Sequence, residues 1–272
     1  MTKKILFPTD FSETAQGALN FAALIAHTTG AEIVLAHVLQ PELGAVNESG
    51  FVTDINVMML ENAEKSLAKL KAELEERGVS AATHVSQGFI ADEINYLLSK
   101  EPMDMIIMGS HGTSGFLEKI VGSTAAYVME KSPITSIIVP AGYETKVVER
   151  IAFAHQLESP DINYIEKAVD FAIELGVGTV DIVHVENEES LNVFNDKAVI
   201  KAIEEVFSEE KFKFHFYKSD SVAEGLERFI NDQQIDILAT ASNKKTFWDT
   251  LFGTHFSKKI AEKISVPVMV IK

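Results

Sequence analysis

The stretch GSHGTSGFLEKIVGS, from Gly109 to Ser123, concentrates the residue types best able to do chemistry in this chain. Its four glycines follow the apolar run MDMIIM, so the order is strand, glycine loop, helix. Glycine allows close backbone approach at a cost of about 0.5–1 kcal/mol of backbone order relative to alanine. Backbone N–H groups at a helix start, beside such glycines, make an anion site, and Ser123 and Thr124 would add hydroxyl donors. The plainer reading is a strand cap followed by a surface turn. Spacing alone leaves both readings open. A Walker loop is excluded because Lys119 does not follow Gly122, and no G-x-G-x-x-G fingerprint is present.

Other chemistries find little support. With no cysteine there is no thiol nucleophile, thiolate metal site or disulfide framework. The 8 histidines show no close metal spacing. Ser110 and His111 are adjacent, and neighbours on an extended loop point apart, which makes them a poor nucleophile–base pair. His37 and His184 end apolar strands and are expected to be satisfied, half-buried residues.

The formal charge of −16, from 24 Lys+Arg and 40 Asp+Glu, argues against nucleic-acid binding. An anionic ligand would depend on local N–H groups and a divalent cation, because the global field repels it. No apolar run reaches the ~18 residues of a membrane helix, so no membrane insertion is expected. Pro8 and Asp10 interrupt the first apolar run too early for a signal peptide, and a cytoplasmic protein is expected.

The elements that must position the glycine stretch occur twice. KKILFPTD is echoed by VERIAFAHQ, and ALNFAALIAHTTGAEIVLAHV by AVDFAIELGVGTVDIVHV. MDMIIMGS is matched by IDILATAS, and the two closing strands by each other. The chain thus reads as two copies of one unit, residues 1–143 and 148–272, joined near AGYETKVVE. In the first copy, strands are expected near 3–8, 32–38, 81–86, 103–108 and 135–140. Helices are expected near 13–28, 55–77, 89–99 and 120–131. The second of these helices, from Asn56 to Arg77, places Leu60, Ala63, Leu67, Leu70 and Leu74 at three- and four-residue spacing. Strands that are apolar throughout suit a parallel sheet covered on both faces. The expected fold class is α/β, with two similar doubly wound domains, each a five-stranded parallel sheet flanked by helices. Ligands in such sheets bind beyond the strands' C-terminal ends.

The pattern G-x2-G-x9-G-[ST], complete here as Gly109, Gly112, Gly122 and Ser123, resembles the ATP-binding motif of the universal stress protein (UspA) family. ILFPTDFSETAQGALNFA and LAHV look like that family's first strand and loop and its second strand. The resemblance implies that Pro8, Thr9 and Asp10 line the adenosine end and that the backbone of Val38 meets the adenine. It implies that Gly109, Gly112, Gly122, Ser123 and Thr124 surround the ribose and phosphates of ATP, accompanied by Mg2+ or Mn2+. Asp10 suits a carboxylate that accepts from hydroxyls or meets a phosphate-bound metal, and TDFSETA also offers Ser12 as a helix cap. A sensor or regulatory module with an unknown protein partner follows, with at most slow ATP hydrolysis, since no clear general base or arginine finger is in view. The family's subunits pair through the fifth strand, so TSIIVPA and VPVMVIK could pair within the chain as an intrachain pseudo-dimer, open to further homo-oligomerisation.

The second copy departs from the motif. Counted back from Gly253-Thr254, the first two glycines fall on Thr240 and Asn243. Aligned from Asp236, they fall on Ala241 and Lys244. His155 and Gln156 replace Thr9 and Asp10, so this copy is not expected to bind ATP in the same manner. Phe247, Trp248, Phe252 and Phe256 leave open a scaffold role or an apolar ligand, although core packing is the simpler role. Phe212, Phe214 and Phe216 alternate along an expected edge strand and are expected to pack on a helix.

Overall fold

The computed structural model describes residues 2–40, 51–112, 122–157, 159–186, 193–207, 211–242 and 264–272. The first half runs β1 (Lys4–Pro8), α1 (Glu13–Thr29), β2 (Glu32–Leu39), α2 (Phe51–Glu76), β3 (Ala81–Gln87), α3 (Ile90–Lys100), β4 (Met105–Gly109), α4 (Ser123–Lys131) and β5 (Thr135–Val139). The second runs β6 (Ile151–Ala154), α5 (Ile162–Glu174), β7 (Val180–Glu186), α6 (Val193–Val206), β8 (Phe212–Lys218), α7 (Val222–Gln233), β9 (Ile237–Ala241) and β10 (Val268–Ile271). Phe247, Trp248, Phe252 and Phe256 lie outside the described residues, as do Gly253 and Lys244.

All ten strands form one sheet in the order β3-β2-β1-β4-β5-β10-β9-β6-β7-β8. Each half is a parallel five-stranded set, and the halves meet where β10 runs antiparallel to β5, with Met269 opposite Ile137. The expected fifth-strand pairing therefore occurs within the chain. It removes two sheet edges that would otherwise be open to pairing with another molecule.

Strands such as Ile5–Pro8 and Ile237–Ala241 are buried along their whole length because helices cover both faces. On one face, Phe7, Phe21, Leu67, Phe153 and Ile203 join α1, α2, α5 and α6 in a single core. On the other, Ile94, Val128 and Phe229 join α3, α4 and α7. Leu60, counted from its spacing in the α2 stripe, is instead 40% exposed, whereas Ala63, Leu67, Leu70 and Leu74 are buried. On the edge strand β8, Phe212 is buried and stacks edge-on against Phe214, while Phe216 faces outward.

Helix α1 starts at Ser12, whose Oγ accepts from the Ala15 N–H at 3.2 Å, and stops at Gly30 in the left-handed region. Within it, Gly17 has open space where a Cβ would go, whereas a Cβ on Gly225 of α7 would meet Val185 Cγ1 at 2.5 Å. Gly17→Ala is therefore expected to stabilise the protein by about 0.5–1 kcal/mol. Gly225→Ala should destabilise it by about 1–3 kcal/mol through overpacking. Chemical denaturation of both variants checks the difference in sign; a gain at both positions would contradict it.

Several contacts join the halves. Tyr143 packs edge-on against Phe21 of α1, and burial together with the nearby charge of Asp236 pushes its phenol up to about 12. Lys3 pairs with Glu174 across the halves. Lys272 Nζ donates to the carbonyls of Met129 and Glu130 at the end of α4, where a cation offsets the helix dipole.

Candidate functional site

In the first half the chain winds from β1 outward to β2 and β3, then returns to β4 and β5, so strand order reverses between β1 and β4. A cleft of about 580 Å3 opens there, within the usual size for a small-molecule site. Pro8, Thr9, Asp10, Val38, Gly109, Gly112, Gly122, Ser123 and Thr124 all line it. The fold thus brings together three stretches that are far apart in sequence.

The β1–α1 turn is pinned on both sides. Thr9 N–H donates to the Ala36 carbonyl at 2.9 Å. His37 Nδ1 lies 2.7 Å from the Thr9 carbonyl; because a carbonyl only accepts, Nδ1 carries the proton. Phe11 sits at φ 63, a left-handed conformation uncommon for an aromatic residue, and its N–H donates to Thr9 Oγ1 at 3.1 Å. Asp10 Oδ1 accepts from the Ser12 N–H at 3.1 Å, closing an Asx turn. Ser12, not Asp10, caps α1.

The three motif glycines are not equivalent. A Cβ on Gly109 would fall 2.9 Å from Thr14 Cγ2 and 3.2 Å from the Thr14 carbonyl oxygen, so this glycine lets the end of β4 pass the first turn of α1. A Cβ on Gly112 would fall inside van der Waals distance of Asp10 Oδ2 and 3.2 Å from its Cγ. At Gly122 the nearest atom would be 3.4 Å away, an ordinary contact. Gly109 and Gly112 therefore have packing roles that spacing did not reveal. Gly122 precedes α4 without a side-chain cap, and its own N–H donates to the Ser110 carbonyl at 2.6 Å. The first helical acceptor, the Gly122 carbonyl, serves Ala126, which leaves the N–H groups of Ser123, Thr124 and Ala125 at the cleft as first-turn donors.

Ser110 and His111 do not point apart: Ser110 Oγ lies 3.1 Å from His111 Nδ1, and His111 Nε2 lies 3.4 Å from Thr14 Oγ1. The chain bends at Ser110, just past the end of β4, so the loop is not extended there. His37, Met59, Ile90, Ser110 and His111 also line the cleft and were not among the sequence candidates. His37 was accessible through its repeat partner His184, whose Nδ1 donates in the same way to the His155 carbonyl at 2.9 Å. Met59 and Ile90 arrive on α2 and α3, whose crossover over the strand ends no local pattern reveals. Among the described residues no cluster of three or more His, Asp or Glu is arranged to hold a metal.

The second half repeats the scaffold and alters the lining. His155 N–H donates to the Val183 carbonyl at 2.9 Å, as Thr9 does to Ala36, and Leu157 takes the left-handed φ of Phe11. Strand pairing also settles the register left open by the sequence. Met105 faces Ile5 and Ile237 faces Ile151, so buried Ala241 occupies the place of Gly109.

The sequence profile of the universal stress protein family matches residues 1–140. Universal stress protein MJ0577 of Methanocaldococcus jannaschii is 32% identical over 147 residues, covering 48% of this chain and 91% of that protein. MJ0531 of the same organism is 31% identical over 139 residues, covering 50% of this chain and 81% of that protein. Over the whole length, a universal stress protein structure from Archaeoglobus fulgidus superposes with a TM-score of 0.73, covering 99% of this chain and 98% of that one at 20% identity. At that identity the likeness establishes the fold.

Proposed function

The chain belongs to the universal stress protein family, and on that premise we propose that its N-terminal cleft binds an adenine nucleotide, ATP in the first instance. The observation that carries this reading is the meeting of all nine candidate residues, the four of the motif among them, on one cleft, with the first-turn N–H groups of α4 at its wall. In this reading the Val38 backbone meets the adenine, and Pro8, Thr9 and Asp10 hold the adenosine end. Gly112, Gly122, Ser123 and Thr124 face the phosphates, where α4's dipole and N–H groups offset negative charge. Gly109 contributes by letting β4 approach α1. Mg2+ or Mn2+ would accompany the phosphates.

The reading extends to the whole chain as two units, 1–143 and 148–272, of which only the first binds nucleotide. The second unit completes the sheet and carries Ala241, His155 and Gln156 in place of the motif residues. A sensor or regulatory role follows, in which nucleotide occupancy changes how a protein partner is met.

Denaturing freshly purified protein and separating the supernatant by chromatography and mass spectrometry tests the reading. Adenine nucleotide at no more than one per chain is expected. Recovery of a lipid or a different metabolite in its place would point to another occupant and sink the assignment.

A further inference from the structure

The second half keeps the frame of the nucleotide cleft and changes the polarity of its wall. Ile33 faces Ile5 and Val180 faces Ile151, so His184 stands in the place of His37 and Glu186 in that of Leu39. Gln156 follows His155 as Asp10 follows Thr9. Asp10, His37 and Leu39 all line the first-half cleft. Each of their counterparts presents a hydrogen-bond acceptor. His184 Nδ1 donates to the His155 carbonyl at 2.9 Å, so its Nε2 keeps a lone pair. That nitrogen and Gln156 Oε1 are both buried without a hydrogen-bond partner among the described residues, and His184 is only 4% exposed. The carbonyl that anchors the imidazole belongs to the peptide bond between His155 and Gln156, which puts the two acceptors on neighbouring groups. A buried acceptor left without a donor costs about 1–3 kcal/mol, so two of them together mark a place for a donor. Negative charge collects around it. Glu186 replaces an apolar wall residue and meets only the exposed Lys218, at 3.7 Å. Asp161, on the turn that follows Gln156, holds a buried carboxylate 3.5 Å from His155 Nε2.

We propose that the second-half site binds a small primary amine in its ammonium form. The three N–H donors of an ammonium group match Gln156 Oε1, His184 Nε2 and the Glu186 carboxylate. Phe216, edge-on to His184 with ring centroids 6.3 Å apart and half exposed, offers an apolar surface to the alkyl stem. The formal charge of −16, which opposes an anion in the first half, favours a cation here. A divalent metal ion fits less well, since among the described residues no three His, Asp or Glu groups are arranged to hold one. This site is independent of the nucleotide reading of the N-terminal cleft.

The test titrates 1,4-diaminobutane into the full chain by calorimetry, in about 0.15 M salt to screen exposed charges. Its fully N-methylated dication, which has the same charge and no N–H, is titrated in parallel. Wild type is expected to take up one diamine per chain and to bind the methylated dication at least about 10-fold more weakly, the scale of one hydrogen bond to a charged group. Gln156→Leu and Glu186→Leu should each weaken the diamine by about 10-fold or more. Glu205→Leu, which removes an exposed charge from α6, should leave its binding unchanged. The methylated dication binding as tightly as the diamine, or Q156L and E186L both binding like wild type, overturns the proposal. So does a chain that binds no diamine, in which a buried water is left to serve both acceptors. The N-terminal nucleotide site stands or falls separately, by titration with ATP.

Discussion

Gly112→Val is expected to weaken adenine-nucleotide binding on the order of 100-fold, about 2.8 kcal/mol, with a much smaller effect on folding. A Cβ at this position would collide with the Asp10 carboxylate, whose Oδ1 is already committed to the Ser12 N–H. Either Asp10 leaves its Asx turn or the Ser110–Gly112 loop moves outward. Both displace groups proposed to touch the ligand, and a shift of about 1 Å is enough to cost ~100-fold at a tightly positioned site. The collision is between two side-chain positions, so the effects of changing them should not add. Asp10→Ala in the Gly112→Ala background should cost less than the sum of the single changes. Strict additivity in a calorimetric double-mutant cycle would show that the two residues act independently.

The second large effect concerns the joint between the halves. Asp236→Ala is expected to destabilise the protein by about 2–4 kcal/mol, because two N–H donors lose their acceptor. Asp236 is 3% exposed and accepts from the N–H groups of Glu149 and Arg150 at 2.8 and 2.9 Å. Its ion pair with Lys146 adds little, since that lysine is largely exposed. Asp104 is the corresponding residue of the first half and accepts from the Lys4 N–H at 2.7 Å, but it is exposed, so water can replace it. Asp104→Ala should therefore cost only about 0.5–1 kcal/mol. Urea denaturation of the two variants separates these cases; equal losses would mean that burial at the joint does not set the cost.

The fold could be read from the sequence because its signals are local and repeated. ILF, IVLA and MIIM are apolar throughout since each is covered on both faces, and every first-half strand falls within about two residues of its expected range. The repeat supplied the division into two like units, and the fifth-strand pairing was what the family resemblance implied. The cleft lining was readable where a motif named it. The reasons behind that motif were not, because they are contacts between residues about 100 positions apart. Nothing near Gly112 reveals that Asp10 lies against it, and nothing near Gly109 reveals Thr14. Ser110 and His111 were misjudged because an extended loop was assumed where the chain bends immediately after β4. The register of the second half had the same limitation: sequence left Thr240 and Ala241 as alternatives, and only strand pairing chose Ala241.

One nucleotide per chain is expected, held in the N-terminal cleft. Calorimetric titration of ATP with Mg2+ into wild type and Gly112→Val is its most direct test. Wild type is expected to saturate at one ATP per chain, and the variant to show binding weakened on the order of 100-fold. Two sites per chain, or a variant that binds as tightly as wild type, would contradict it.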